Sequence, residues 1–347
     1  LRKQKLDAPS FWWRKPDWRA FALLPLSLLY GHIAGRRMAR AKRQSADLPV
    51  ICVGNFTLGG AGKTPTALAL AKAAKAMGLR PGFLSRGYGG RLKTTTLVYQ
   101  TRHTAAEVGD EPLLLAREAM TVISPHRTEG AAELARQGVD LIIMDDGFQS
   151  ARLTLDFALV VVDRRRGTGN DLVFPAGPLR APLPKQIAAM DAMLLVGEPT
   201  AGTDGSESVV RLVARAGKPV LTARLHPVTG SLSGERVLAY CGIADPTKFH
   251  RTLEELQADL VVTRAFGDHQ PLSPDEIEGL LATADEQDLQ LVTTAKDAVR
   301  LKGGKGRTAE LAARSKVVEI EMRFDDPDMP RHVIEQALAN FRARVAK

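Results

Sequence analysis

Residues 54–64 read Gly54-Asn55-Phe56-Thr57-Leu58-Gly59-Gly60-Ala61-Gly62-Lys63-Thr64. Glycines at this density let backbone N–H groups turn toward an anion, and a helix opening at the end of the run adds its dipole. A lysine followed by a hydroxyl suits a polyphosphate and the Mg²⁺ that accompanies it. The run therefore reads as a phosphate cradle built from Thr57, Leu58, Gly59, Gly60, Ala61, Gly62, Lys63 and Thr64. Thr57 stands where the strict G-x-x-x-x-G-K-[ST] pattern has its first glycine, so the cradle requires an ordinary φ there. Pro65 is compatible with a first helical turn, whose N–H groups lack intrahelical partners anyway.

A nucleotide site also needs a carboxylate that orients the metal at the end of a neighbouring strand. Asp145-Asp146 follows the apolar run 139–144 directly and precedes Gly147. Either or both could serve, because a turn starting there changes the strand's alternation of faces. Such a cradle does not name the phosphate acceptor. A kinase for a hydroxyl, a switch ATPase or GTPase, and a motor all remain open. The Asn-Lys-x-Asp signature of a GTPase is missing, and Leu58 stands where partitioning ATPases carry a lysine. A kinase benefits from a general base. Asp110 and His269 are candidates, with a helix N-cap as the plainer role for Asp110 and a structural or exposed histidine as the plainer role for His269, which alone does not read as catalytic. Arg180, in a proline-rich loop, could bind an anionic substrate group or be solvated, as could the run Arg164-Arg165-Arg166.

These residues need a rigid frame. Apolar runs at 49–53, 82–85, 121–124, 139–144, 157–162 and 192–196 alternate with helical patterns at 64–77, 111–120 and 128–137. That alternation argues for a parallel sheet covered on both faces. A polar stretch at 199–208 reads as a linker, followed by short β-like runs near 219–225 and 237–241. Helices at 246–257 and 274–284, strands at 260–263, 290–294 and 316–320, and a helix at 330–345 then suggest a second alternation. The expectation is an α/β protein with a P-loop-type core over 48–200, a linker over 201–241, and a smaller α/β domain over 242–347. Two cysteines make no disulfide framework, and no CxxC pair suggests zinc.

The chain has 347 residues and a net charge of +9. Residues 1–47 hold eleven Lys/Arg and three acids, a local charge of +8, and all three tryptophans. Within them, 20–35 is uncharged and apolar. It is too short for a bilayer core of about 30 Å, and Pro25 inside it is expected to kink or break a helix. Tryptophan rings suit the headgroup level, and flanking cations suit anionic lipid. The segment therefore reads as a helix lying on a membrane surface rather than a core helix with a solvated basic flank, a signal peptide or a nucleic-acid arm.

Together these motifs resemble the tetraacyldisaccharide 4′-kinases, the lipid A 4′-kinases of Gram-negative bacteria. The resemblance rests on Leu24-Pro25-Leu26-Ser27 and Leu29-Tyr30-Gly31, on Val53-Gly54-Asn55 with the cradle, and on Ser85-Arg86-Gly87-Tyr88-Gly89. It continues through Gly109-Asp110-Glu111-Pro112, Asp145-Asp146-Gly147-Phe148-Gln149, Pro175-Ala176-Gly177-Pro178-Leu179-Arg180, Phe266-Gly267-Asp268-His269 and Thr294-Ala295-Lys296-Asp297-Ala298-Val299-Arg300. It implies transfer of the ATP γ-phosphate, with Mg²⁺, to the 4′-hydroxyl of a membrane-held acylated disaccharide 1-phosphate, forming lipid IVA. It further implies Asp110 as base with His269 as partner, Lys63 on the phosphates, Thr64, Asp145 and Asp146 at the metal, and Tyr88 and Arg180 near the lipid. Location on the cytoplasmic face of the inner membrane follows, without nucleic acid or an obligate protein partner. The family pattern has an acid after the Pro-Leu-Arg motif, where this chain has Ala181. The competing reading is a membrane-associated switch ATPase with a protein partner.

Overall fold

The computed structural model describes residues 8–150, 152–198 and 204–346. Along the chain come α1 (Trp18–Arg40), β1 (Val50–Gly54), α2 (Lys63–Ala76), β2 (Pro81–Ser85), β3 (Thr96–Leu97), α3 (Ala105–Val108), α4 (Asp110–Leu115), β4 (Met120–Ile123), α5 (Arg127–Arg136) and β5 (Leu141–Asp145). There follow β6 (Phe157–Asp163), α6 (Leu183–Ala189), β7 (Ala192–Val196), α7 (Glu207–Arg215), β8 (Val220–Pro227), β9 (Arg236–Cys241), α8 (Pro246–Glu255) and β10 (Asp259–Ala265). The remainder is α9 (Pro274–Gln287), β11 (Gln290–Thr294), α10 (Ala295–Leu301), α11 (Arg307–Arg314), β12 (Lys316–Val318), β13 (Ile320–Phe324) and α12 (Met329–Val345).

Strands β1, β2, β5, β6 and β7 are buried at every residue, which is why they read as unbroken apolar runs. They form the middle of a nine-stranded sheet ordered β13-β8-β7-β6-β1-β5-β2-β4-β3. Pairing is parallel except at the two edges, β8–β13 and β3–β4. One face buries Ala67, Leu70, Ala71 and Ala74 of α2 with Val333, Ile334 and Ala337 of α12. The other buries Leu134, Val139, Leu183 and Ile187. A second sheet, β10-β9-β11-β12, is parallel throughout and has its own core around Leu238, Leu281 and Leu291.

The sheets do not follow the boundaries expected at 200, 241 and the C-terminus. The supposed linker holds α7 and β8, and β8 pairs with β7 in the large sheet. Residues 199–203 of that stretch lie outside the described residues. The chain also returns after β12: β13 pairs with β8, and α12 packs on α2. The pairing partner of a strand this distant in sequence is not encoded locally, so a composition shift at 200 mimics a boundary. The smaller sheet is thus an insertion within the span of the larger.

Helix α1 runs 23 residues, about 34 Å, straight through Pro25, so the expected break is absent. Asp17 caps its start, its carboxylate accepting from the Arg19 N–H. Its packed face is made of small residues, Ser27, Gly31 and Gly35, one turn apart. The Ser27 hydroxyl donates to the Val173 carbonyl at 2.6 Å. A Cβ at Gly31 or Gly35 would lie 3.5–3.6 Å from Val173 or Pro182, so only small residues allow this approach. The opposite face exposes Trp18, Phe21, Leu26, Leu28, Leu29, Tyr30 and Ile33. This inverts the usual order, in which large apolar residues face the core. Among the described residues no helix is long and apolar enough to cross a membrane.

Candidate active site

The cradle lies at the C-terminal end of β1, between β5 and β6, where open parallel sheets place their ligands. Gly59 (φ 113°) and Gly62 (φ 100°) occupy backbone space that side chains rarely reach. Thr57 does not: it pairs with Leu179 in an antiparallel bridge, which explains why this position tolerates a side chain. Leu58 N–H donates to the Pro178 carbonyl and Arg180 N–H to the Phe56 carbonyl, so the 178–180 loop holds the cradle's rim. That loop is also where the N-terminal segment docks. Trp12 Nε1 donates to the Pro175 carbonyl at 3.0 Å, and Tyr30 meets the Phe174 ring edge-on at 5.4 Å.

Lys63 and Thr64 open α2 and face the acidic pair. Thr64 Oγ1 donates to Asp145 Oδ2 at 2.9 Å, and Lys63 Nζ lies 3.9 Å from Asp146 Oδ2. Asp145 ends β5, whereas Asp146 turns off the strand with φ 54°. Both therefore reach one side of the cleft despite being consecutive. Strain of this kind in a non-glycine residue concentrates at functional sites. Asp145 Oδ1 is buried without a hydrogen-bond partner. Burial pushes the Asp145 carboxyl up, and the nearby Glu111 charge adds to it. For Asp146 burial acts the same way, but the Lys63 and Arg180 charges outweigh it and hold the carboxyl down at about 2. An orphaned carboxylate oxygen beside a threonine hydroxyl fits Mg²⁺, which takes few protein ligands and completes its shell with phosphate and water. No cluster of three or more His, Cys, Asp or Glu side chains suited to a metal occurs among the described residues.

Asp110 and His269 are 159 residues apart and in different sheets' territory, yet they touch. His269 Nδ1 lies 3.0 Å from each Asp110 oxygen. Asp110 is not an N-cap. Gly109 (φ 93°) holds that position in α4, which turns the carboxylate toward the second sheet. His269 sits in the turn after β10 with φ 59°. Helix α10 supplies the rest of the cluster from two residues one turn apart. Arg300 donates from Nε (2.8 Å) and Nη2 (2.5 Å) to Asp110 Oδ2. Lys296 Nζ lies 3.2 Å from His269 Nε2 and 3.4 Å from both Glu111 and Asp268. Burial alone would raise the Asp110 carboxyl, but the His269 hydrogen bond and the Lys296 and Arg300 charges overcome it. The carboxyl is held well below the usual carboxylate range.

One cleft of about 1880 Å³ is lined by Leu58–Thr64, Tyr88, Asp145, Asp146, Arg180 and His269. Asp110 lies immediately behind His269. Tyr88 is half exposed and meets the His269 ring edge-on at 5.5 Å. Arg180 forks onto Asp146 (2.8 and 3.2 Å) and donates from Nε to the Thr57 carbonyl, which ties the loop to the cradle's phosphate end. Ala181 lines the cleft with a buried methyl group and no carboxylate. Sequence reading passed over Arg300, Lys296 and Lys248. Arg300 and Lys296 stood inside a motif, and their spacing of four on a helix was the available signal. Lys248 carries no motif. From α8 it reaches the Asp163 carboxylate and the Gly60 carbonyl (3.3 Å), joining the second sheet to the cradle.

The profile of the family described as LpxK, tetraacyldisaccharide-1-P 4′-kinase, matches residues 19–339. A tetraacyldisaccharide 4′-kinase of Allorhizobium ampelinum is 60% identical over 345 residues, covering 97% of this chain and 99% of the relative. One from Agrobacterium fabrum is 58% identical over 342 residues, covering 98% and 97%. A crystal structure of LpxK from Aquifex aeolicus in complex with ATP superposes with a TM-score of 0.68 at 24% identity, covering 92% of this chain and 99% of that one. The chain belongs to the tetraacyldisaccharide 4′-kinase family.

Proposed function

We propose that this protein transfers the γ-phosphate of ATP to the 4′-hydroxyl of a tetraacyldisaccharide 1-phosphate at a membrane surface, the product being lipid IVA. The observation that carries the reading is the convergence, in one cleft, of the glycine cradle with Lys63 and Thr64, the acidic pair, and the His269–Asp110 contact. Backbone N–H groups of 59–62 and Lys63 hold the phosphates, the Leu58 N–H being taken by the Pro178 carbonyl. Thr64 and Asp145 would hold Mg²⁺, with Asp146 beside them; the ion supplies charge neutralisation on the transferring group. Asp110 and His269 act together as base. His269 lines the cleft and Asp110, locked by Arg300, fixes its ring. A carboxylate held so far down is a weak base. That suffices where the transition state is loose and orientation of the hydroxyl matters more than early deprotonation. Tyr88 and Arg180 flank the acceptor's approach.

The exposed apolar face of α1 supports peripheral attachment to a membrane, with Trp18 and the basic end of the helix at headgroup level. The cytoplasmic face of the inner membrane follows from the need for ATP. The family match favours the kinase over a switch ATPase. Incubation with labelled ATP, Mg²⁺ and tetraacyldisaccharide 1-phosphate in micelles should give a labelled bisphosphorylated lipid, and Lys63→Ala should abolish it. ATP binding without lipid product would refute the reading.

A further inference from the structure

Lys296 stands in the first turn of helix α10, where the helix dipole disfavours a cation. Thr294 and Asp297 already serve that turn as its cap and its acid. A residue that works against its own element is placed for something else. The Lys296 side chain lines the cleft and is only one-fifth exposed. Its Nζ lies 3.4 Å from Glu111 Oε1, 3.4 Å from Asp268 Oδ1 and 3.2 Å from His269 Nε2. The nearest of the three is the one that is not an acid.

Proton accounting fixes the state of the ring. The Asp110 carboxyl is held low and ionised, so it can only accept, and His269 Nδ1 is the donor of their contact. Burial opposes the charge on Lys296, but Glu111, Asp110 and Asp268 outweigh it and hold the ammonium protonated. An ammonium has donors and no lone pair, so His269 Nε2 accepts from it and carries no proton. The ring is therefore neutral, and Lys296 covers its one lone pair. The other groups facing the ring do not compete for it. Glu111 is engaged by Lys296. Asp268 Oδ2, at 3.6 Å from Nε2, is too far for a hydrogen bond, and its other oxygen is shared with Lys296. Arg300 is turned to Asp110 and Asp297, and Tyr88 packs edge-on.

We propose that Lys296 is the positioning residue of the base: its ammonium covers His269 Nε2 and keeps it unprotonated until the acceptor's hydroxyl takes its place. The exchange loses Lys296 one hydrogen bond and leaves it two carboxylate partners. In transfer the acceptor oxygen bonds to the γ-phosphorus as the bond to the β–γ bridging oxygen breaks. ADP leaves with that electron pair, and the hydroxyl proton passes to Nε2. The imidazolium so formed keeps its Nδ1–H on Asp110 and has Asp268 beside its new N–H. The inference rests on the lipid kinase reading above, and it names the group that keeps the base available.

Nitrogen-15 NMR of histidine-labelled protein reads the ring directly, the His269 signals being assigned by their loss in His269→Gln. Wild-type protein without acceptor should show a neutral ring protonated on Nδ1 at about pH 7, and Lys296→Met an imidazolium at the same pH. In micelles, kcat/KM for tetraacyldisaccharide 1-phosphate should fall about tenfold or more in Lys296→Met at about pH 6 and recover as pH rises, because removing a cation at hydrogen-bond distance moves the acid limb up by about one unit. The KM for ATP should stay the same. Lys296→Cys alkylated with bromoethylamine regains an ammonium on a chain of equal length and should restore both readouts. Cys52 and Cys241 are buried, with thiols pushed up to about 12 by that burial, so they escape the reagent. A charged ring in wild-type protein overturns the proposal, and that spectrum decides even where Lys296→Met fails to fold. A limb and a ring state unmoved in Lys296→Met also overturn it, as does an equal loss at every pH with a lower Tm. Each of these leaves the kinase reading standing as long as wild-type enzyme transfers phosphate, whereas no transfer at any pH sinks that reading too.

Discussion

At the scale of single residues, Asp110 is defined by what surrounds it rather than by its place in a motif. Arg300 sets it. Arg300→Gln should leave a buried carboxylate half-paired and lower stability by about 3 kcal/mol, which urea denaturation would read. The sign with pH follows from the depressed carboxyl. A group held below its unfolded value stabilises the fold fully above that value, about 3.9, and loses the effect as pH falls through the folded value. The wild-type advantage over Arg300→Gln should thus be full near pH 6–8 and shrink in acid. The acid limb of the kcat profile should also move up in the variant. An unchanged limb would remove Arg300 from the positioning role. Lys63, Thr64, Asp145 and Asp146 stood out as candidates because phosphate and Mg²⁺ chemistry asks for those residue types at that spacing, whereas a role for His269 came only from the family resemblance. Arg300 and Lys296 were not legible, since a basic side chain on a helix is usually solvated and only the folded contacts show otherwise.

At the scale of elements, α1 makes the sharpest claim. Its packed face has room for a methyl group and little more. Gly31→Ala should be tolerated, because its Cβ would sit at 3.6 Å, an ordinary contact. Gly31→Leu should destabilise by about 1–3 kcal/mol through overpacking, seen as a lower Tm. Leu28→Asp and Leu29→Asp act on the other face. They should sharply weaken sedimentation with anionic vesicles while leaving Tm within a degree or two, since both side chains are more than half exposed. Equal vesicle binding would contradict a membrane role for this face. The strands were legible from their apolar runs. The passage of α1 through Pro25 was not, because the loss of one backbone bond is offset by packing that lies more than a hundred residues away, at 173–185.

At the scale of the whole molecule, the site exists only because two sheets meet. The cradle and acidic pair come from the large sheet, His269 and Arg300 from the small one. Lys248 on Asp163 and Gly60, and Arg166 on Asp245 at 3.0 Å, bridge the two beside the nucleotide mouth. Arg166 also lies 4.8 Å over the Trp13 ring, linking this bridge to the N-terminal segment. Lys248→Ala should raise the KM for ATP several-fold and enlarge the radius of gyration in solution scattering. An unchanged profile would show that the bridge does not hold the sheets together. The return of β13 and α12 to the large sheet belongs to this scale, and no local pattern announces it. The central claim is that the His269–Asp110 contact across the two sheets drives transfer. Its most direct test is single-turnover phosphate transfer by Asp110→Asn, with ATP affinity measured on the same sample. The account predicts a fall in rate of about 10²-fold or more with ATP affinity essentially unchanged. A wild-type rate in that variant would contradict it.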